Sequence, residues 1–588
     1  MFKKIKPYMG NYIKYTYAAM VTMLVALIAS MIPYFLVYKI IEPLLNGEAL
    51  SLKSFGIYLA IICACELVFS NLYTLGLKFS HISAYNTLKT IRVSLQRKLE
   101  QQPLGAIQDM GNGKIKKIFT DDIEQIEILL AHAVPEGIAN LSVPIIALVF
   151  MFIADWKLAL LSLCSLPIGL AAMGMMFKAG FERMNAYYSA AAKMNATIIE
   201  YVNGMEVVKV FGRDGESYKR YENDIKSYRD LTLAWYKVCW PWMALYSAVL
   251  PCIALVTLPV GTLFVINGTS TIADLVLVFC LSLSMGIPLL KALAFAGKFP
   301  QLDYKVSEVE AAMDGAPLKT GTNTFNGDSH SVKFENVRFG YKDAEVLHGI
   351  DLELKEDTMT ALVGESGSGK STLAKLLVHY YDINGGKITL GGQDITDMSI
   401  ETLNNQISYV SQEQFLFNTT LYENILIGNP SATREQVLDA AEKAQCNEFL
   451  ARLPKGIDTM AGDGGKMLSG GERQRISLAR AILKNAPVIV LDEATAFIDP
   501  ENEEKMNSAI AEIIKGKTVL VIAHRLQTIV NADKICVLKD GNLIAADTHN
   551  ALLGSCDEYK KLWNSSEASA NWKIANATEK KGNEVEAC

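Results

Sequence analysis

Long stretches without a single Asp, Glu, Lys or Arg occupy the first half of the chain and restrict its possible folds more than any other feature. The first, residues 15–38, follows directly on Lys3, Lys4, Lys6 and Lys14. Its length suits a hydrocarbon layer of about 30 Å at about 1.5 Å per helical residue. It is too long for a signal peptide and lacks a small-residue cleavage site, so it reads as a retained first helix. Residues 55–79 are interrupted only by Glu66 and Lys78. Residues 137–154 and 158–177 flank the hinge Asp155-Trp156-Lys157, short enough to force an antiparallel hairpin. Residues 238–273 are again uncharged, divided by Asn267-Gly268-Thr269-Ser270, and a sixth segment runs past Asp274 to about Phe295. Of the 118 charged residues (56 basic plus 62 acidic), 47 fall in residues 1–300 and 71 in 301–588. The fold expected is therefore a six-helix α-helical transmembrane domain, residues 1–314, followed by a charged, soluble α/β domain. With 50% hydrophobic and 20% charged residues overall, the chain is not disordered, collagen-like or disulfide-dense.

Basic residues set the expected orientation. The amino-terminal arm, residues 81–128 (Lys89, Arg92, Arg97, Lys98, Lys114, Lys116, Lys117) and residues 178–237 carry them, so these segments and both termini are expected in the cytoplasm of a multi-pass cell-membrane protein. The two internal segments are of a length for membrane helices to continue beyond the bilayer and turn back, with docking turns expected near residues 111–122 and 201–212. The ten cysteines are scattered, with no Cys-x-x-Cys and no neighbouring His, so neither a metal nor a structural disulfide is assigned to them.

After a Gly/Thr/Asn-rich linker, residues 315–331, the pattern alternates between short β-rich and helical runs. A buried-strand pattern at 359–363 leads into Gly364-Glu365-Ser366-Gly367-Ser368-Gly369-Lys370-Ser371-Thr372 and then an apolar helix. This strand, loop and helix form a phosphate-binding P-loop: glycines admit backbone N–H groups to the phosphates, Lys370 reaches the β/γ oxygens, and Ser371 is a Mg²⁺ ligand. Farther on, the apolar run 487–491 ends in Asp492-Glu493. Asp492 can hold Mg²⁺ through water, and Glu493 can act as general base on the attacking water.

The segment Leu468-Ser469-Gly470-Gly471-Glu472-Arg473-Gln474-Arg475 resembles the signature of ABC transporter ATPases and precedes Asp492-Glu493 at that family's spacing. The resemblance implies further roles within an ABC ATPase domain at residues 332–563. Tyr341 would stack on adenine, Gln412 would touch the metal and the membrane domain, and Asp499 falls in the loop after the general base. His524 would contact the γ-phosphate as the switch histidine. The implied architecture is an exporter-type half-transporter: ATP and Mg²⁺ are bound, and Ser469, Gly470, Gly471 and Glu472 act on the opposite site of a dimer. ATP draws the two ATPase domains together and hydrolysis releases them. The segment 493–503 is similar to bacterial siderophore transporters of the yersiniabactin and mycobactin type, which import iron chelates through an exporter-like fold. That likeness favours pairing with a different half-transporter, a homodimer being the alternative. An exporter of drugs, lipids or peptides is the other transport reading, and an ATP-gated channel or regulator a reading of another class.

Ionisable groups in or beside membrane spans are functional candidates. Glu66, His132, Glu136, Lys237 and Lys291 are accordingly expected to line a cavity for a small-molecule solute, with snorkelling, capping or internal pairing as the structural alternative. Prolines 241, 251, 259 and 288 are expected to kink the fifth and sixth helices. Residues 564–588 are polar and expected to be a disordered tail, and no nucleic-acid partner is expected.

Overall fold

The computed structural model describes all residues except 212–213, 342–343, 413, 493–507, 524 and 571–588. The chain divides into two compact units, Met1–Glu100 with Met110–Gly315, and Gln101–Asp109 with Ala316–Cys588.

The first unit is helical. Five of its helices, Phe2–Leu45, Leu52–Glu100, Asn112–Ala154, Trp156–Gly180 and Ile272–Met313, are long and apolar enough to cross a membrane. Among the described residues, the pair Lys219–Val249 and Ala254–Ile266, bent by 47°, makes a sixth if it is counted as one broken span. The bend falls at Pro251, whereas Pro241, Pro259 and Pro288 lie inside continuous helices. In Asn112–Ala154, Val143, Ala147 and Met151 are buried at helical spacing, while Ile145, Val149 and Ile153 are 57%, 54% and 76% exposed. Apolar side chains on both faces suit a helix with protein on one side and lipid on the other. The buried stripe joins Met23, Leu27 and Met31 of the first helix and Val278, Leu281 and Met285 of the last in one core.

Asp155 explains the sharp hinge between the third and fourth spans. Its carboxylate accepts from the Lys157 and Leu158 amides at 2.8 and 3.4 Å, capping the helix that follows. Ser270 Oγ also donates to it at 2.5 Å, which ties this hinge to the turn between the fifth and sixth spans. At the far end of the unit, Ser165–Asn203 and Asp214–Val249 continue side by side as an arm. Thr197 and Lys193 hold Asp224 at 2.7 Å each, and the short helix Met205–Phe211 lies at the tip.

The second unit holds two sheets. An antiparallel sheet has the order β2-β1-β4-β5, with β1 Val332–Tyr341, β2 Ala344–Leu354, β4 Gly385–Leu390 and β5 Gln393–Asp394. The larger sheet runs β10-β9-β3-β8-β7-β6, with β3 Met359–Val363, β6 Ile407–Val410, β7 Val488–Asp492, β8 Thr518–Ile522, β9 Lys534–Lys539 and β10 Asn542–Asp547. Strands β9, β3, β8, β7 and β6 pair in parallel. Parallel strands are covered on both faces, which is why β7 is buried at every position.

Three sequence boundaries shift. Residues 315–331 are not a free linker: Gly321 and Asn323 donate to the Met398 and Asp397 carbonyls at 3.1 Å each, so the segment lies along the ATPase unit. Residues 101–109 also pack with this unit although they fall within the membrane-domain sequence. The Leu104 amide donates to the Tyr380 carbonyl at 2.9 Å, and the Leu318 amide to the Gln101 carbonyl at 2.8 Å. The segment that docks here thus precedes the expected 111–122 turn, because Gly111 at φ 74° ends the short helix Leu104–Met110 and residues 112–122 re-enter the membrane unit. Finally, Asp557–Ala570 is one helix, so residues 564–570 are helical rather than tail. Its first turn carries Asp557 and Glu558, favourable at a helix start, and Tyr559 and Trp563 anchor it on His549.

Candidate active site in the ATPase unit

The P-loop joins β3 to the helix Lys370–Leu377, whose N-cap is Gly369 at φ 100°. Gly364 has φ 152°, and a Cβ there would lie 2.1 Å from the Leu538 carbonyl oxygen, so only glycine lets the strand end turn into the loop. Glu365, Ser366 and Gly367 are exposed, while Ser368, Gly369, Lys370 and Thr372 are buried. Buried Lys370 donates to the Gly364 and Glu365 carbonyls at 2.9 and 2.8 Å and to Ser368 Oγ at 3.3 Å. Its ammonium is therefore held at the mouth of the loop, where the amides at the start of the helix favour an anion.

Parallel pairing brings the end of β7 beside the start of this helix. Ser371 Oγ donates to Asp492 Oδ1 at 3.1 Å, and Tyr409 OH donates to Oδ2 at 3.0 Å. Asp492 is only 3% exposed, so these two donors replace water around a buried carboxylate. Burial first, and the Asp492 charge second, push the Tyr409 hydroxyl well above the usual tyrosine range, keeping it a donor. A hydroxyl oxygen and a carboxylate oxygen in contact are the hard donors that Mg²⁺ takes, so the residues fit the expected ion. Gln412 is exposed two residues beyond β6; Val410 pairs with Leu491, which sets Gln412 at the same sheet edge as Asp492. Tyr341 is 37% exposed, its ring edge-on to Phe339 and Tyr381 at 5.0 and 5.3 Å and its hydroxyl 3.3 Å from Thr372 Oγ1. Glu493, Asp499 and His524 lie outside the described residues.

The signature segment starts the helix Gly470–Lys484. Ser469 is its N-cap and forms a reciprocal box with Glu472: the Glu472 amide donates to Ser469 Oγ at 3.3 Å, and the Ser469 amide to Glu472 Oε2 at 2.8 Å. Ser469 and Gly470 are exposed, and a Cβ at Gly470 or Gly471 would meet nothing within 4 Å. The helix start is therefore open for an incoming group.

The membrane-unit candidates separate. His132 Nδ1 and Glu136 Oε1 are 2.5 Å apart, and Tyr73 OH donates to Glu136 Oε2 at 2.7 Å. Glu66, Lys237 and Lys291 are exposed on their helices, and among the described residues no hydrogen bond or ion pair joins them to that cluster. Sequence reasoning overlooked Tyr73 and Tyr409. For Tyr409 the available signal was a polar aromatic in a strand otherwise reading as buried; for Tyr73 none was available, because its partner lies 63 residues away.

Residues 15–289 match the family described as ABC transporter transmembrane region, and residues 347–496 the family described as ABC transporter. The chain is 35% identical over 543 residues to the "Mycobactin import ATP-binding/permease protein IrtA" of Mycolicibacterium smegmatis, covering 90% of this chain and 62% of that relative. It thus spans about three fifths of the mycobactin-import relative it matches. It is 31% identical to an "ATP-dependent lipid A-core flippase" of Legionella pneumophila, with 82% of each chain covered. A bacterial Atm1-family ABC exporter with ATP bound superposes with a TM-score of 0.78 at 25% identity, covering 96% of this chain and 99% of that one. Six possible spans followed by a P-loop domain, with both family matches in the same order, place the chain in the ABC transporter family.

Proposed function

We propose that the chain is one half of a dimeric transporter that uses ATP hydrolysis to import a ferric siderophore or related metal chelate across the cell membrane. The observation that carries the ATP-driven part is the cradle of buried Lys370 and Asp492 with half-buried Ser371 on one sheet edge. The phosphate loop and Lys370 bind the nucleotide phosphates, Tyr341 packs on the base, and Ser371, Asp492 and Gln412 would hold Mg²⁺. That ion, when bound, neutralises phosphate charge. Glu493 takes the proton of the attacking water, with His524 at the γ-phosphate.

The open start of Gly470–Lys484 supports closure on a nucleotide held by a second half-transporter, its amides and dipole meeting the γ-phosphate. A partner is also supported by the arm tip, where Val202, Val207 and Val210 are 63%, 61% and 71% exposed. Exposed valines beyond the apolar spans fit a surface that another subunit covers. A different half-transporter is favoured over a second copy. The termini and ATPase unit are cytoplasmic, as the basic segments favour.

Import of a chelate rests on the likeness to the mycobactin-import protein over most of this chain. Export of a lipid or drug is the second reading, supported by the flippase that matches over 82% of both chains. Vesicles carrying the full chain with its partner decide between them. Import moves ferric siderophore toward the compartment that contains ATP and the ATPase units, and movement away from it overturns the reading. Glu493→Gln should bind ATP yet lose turnover, and sustained turnover would remove Glu493 from its role.

A further inference from the structure

The Leu52–Glu100 helix and the helix that begins at Asn112 meet at a cluster outside the ATP site. His81 Nδ1 lies 3.2 Å from Glu127 Oε1, and the rings of His81 and His132 stand edge to face with centroids 5.1 Å apart. One nitrogen from each histidine and one Glu127 oxygen all lie within 4.8 Å of one another. We propose that His81, Glu127 and His132 form a binding site for a divalent transition-metal ion of the Zn²⁺ class, with Glu136 orienting His132 from outside the site.

Ligand chemistry, spacing and outer support agree. Two imidazoles and a carboxylate are a donor set that Zn²⁺ accepts, with a fourth position left for water. Donors at about 2.1 Å from a tetrahedral ion sit roughly 3.4 Å from each other. The three groups thus need to close by at most about 1.4 Å, and their 37%, 19% and 33% exposure leaves them room to turn. His132 spends Nδ1 on Glu136 Oε1 at 2.5 Å, which fixes the ring and leaves Nε2 as the ligand. Tyr73 in turn fixes Glu136 at 2.7 Å. A carboxylate behind a ligating histidine is the usual outer arrangement at such ions. The backbone contributes as well: residues Ile128–Ala133 form a widened π turn, which turns His132 away from the register of a regular helix. An ion here would pin the second span to the third, as the Arg92–Glu124 pair at 2.6 Å does elsewhere along the same two helices. The site does not depend on the nature of the cargo.

The test uses the full chain in detergent, stripped with chelator and titrated with ZnCl₂ alone, and with CoCl₂ as a visible-absorbing substitute. The proposal expects one equivalent of Zn²⁺ bound with a Kd below about 10 µM, and the intense visible bands of four- or five-coordinate Co²⁺. Glu136→Gln should weaken binding by about 10- to 100-fold while keeping the Co²⁺ bands, as loss of an outer partner does. His81→Ala and His132→Ala should each weaken it further and abolish the bands, and His330→Ala in the other unit should leave both unchanged. A variant that does not elute as folded protein is replaced by His→Gln at the same position. Absence of saturable Zn²⁺ binding, or binding unaltered in the His81→Ala/His132→Ala double variant, overturns the site.

Discussion

Tyr409→Phe isolates the buried carboxylate of the ATP site. The substitution removes one oxygen and leaves the ring, which packs edge-on against Tyr380 at 5.8 Å. Asp492 has two described donors, Ser371 Oγ at 3.1 Å and Tyr409 OH at 3.0 Å, and is 3% exposed. Were the Ser371 hydroxyl to serve a Mg²⁺ ion instead, Tyr409 would be the described donor left on the carboxylate. A hydrogen bond to a charged group contributes about 1.5–3 kcal/mol, and a buried acceptor without its donor is not rescued by water. At about 1.4 kcal/mol per factor of ten, Mg-dependent ATP turnover (kcat/KM) should fall by about 10- to 100-fold. Nucleotide binding in EDTA should stay within about twofold, because the P-loop and Tyr341 are untouched. Turnover and fluorescent-nucleotide binding, each measured with and without Mg²⁺, read the two effects separately. Wild-type turnover, or an equal loss of Mg-free binding, would refute the assignment of Tyr409 as the group that positions Asp492.

Other outcomes follow from single contacts. Gly364→Ala drives a Cβ to 2.1 Å from the Leu538 carbonyl oxygen, so the protein should lose ATP binding and ATP-dependent thermal stabilisation; retention of either would show that the loop can move aside. Ser469→Ala removes an N-cap worth about 1 kcal/mol, and on the proposed dimer it should lower turnover more than nucleotide affinity, since Ser469 is exposed rather than at its own chain's P-loop. The Arg434 hydrogen bonds at 3.1 and 2.6 Å hold the Asp458 carboxyl below the usual range. A lowered folded-state pKa gives stability that is present above the ordinary aspartate pKa and lost as pH falls through the folded value. Arg434→Gln should thus lower thermal stability slightly at pH 7 and make no difference once pH is below that range, as thermal unfolding across pH would show. An effect that grows toward acid pH would contradict the pairing.

Features set by near neighbours along the chain were the most legible in the amino-acid sequence. Charge-free runs of span length, the Gly364–Thr372 loop between strand and helix patterns, and the Ser469 cap three residues before Glu472 are all set within a few neighbours along the chain, where periodicity and backbone sterics act. The tertiary structure decided which distant residues share an environment. Glu66, His132, Glu136, Lys237 and Lys291 looked equivalent as charges near spans, yet packing pairs His132 with Glu136 and Tyr73 and leaves the others exposed, because helix rotation is set by neighbouring helices. Likewise, residues 101–109 read as membrane-domain connection, but the Tyr380 carbonyl and Gln101's bond from Leu318 fix them to the ATPase unit. Asp492 acquires Tyr409 and Ser371 only because β6, β7 and β3 lie in one parallel sheet, across 83 and 121 residues of sequence. No local propensity encodes contacts at such separations; they arise when apolar faces are buried together and each buried polar group must find its partner there.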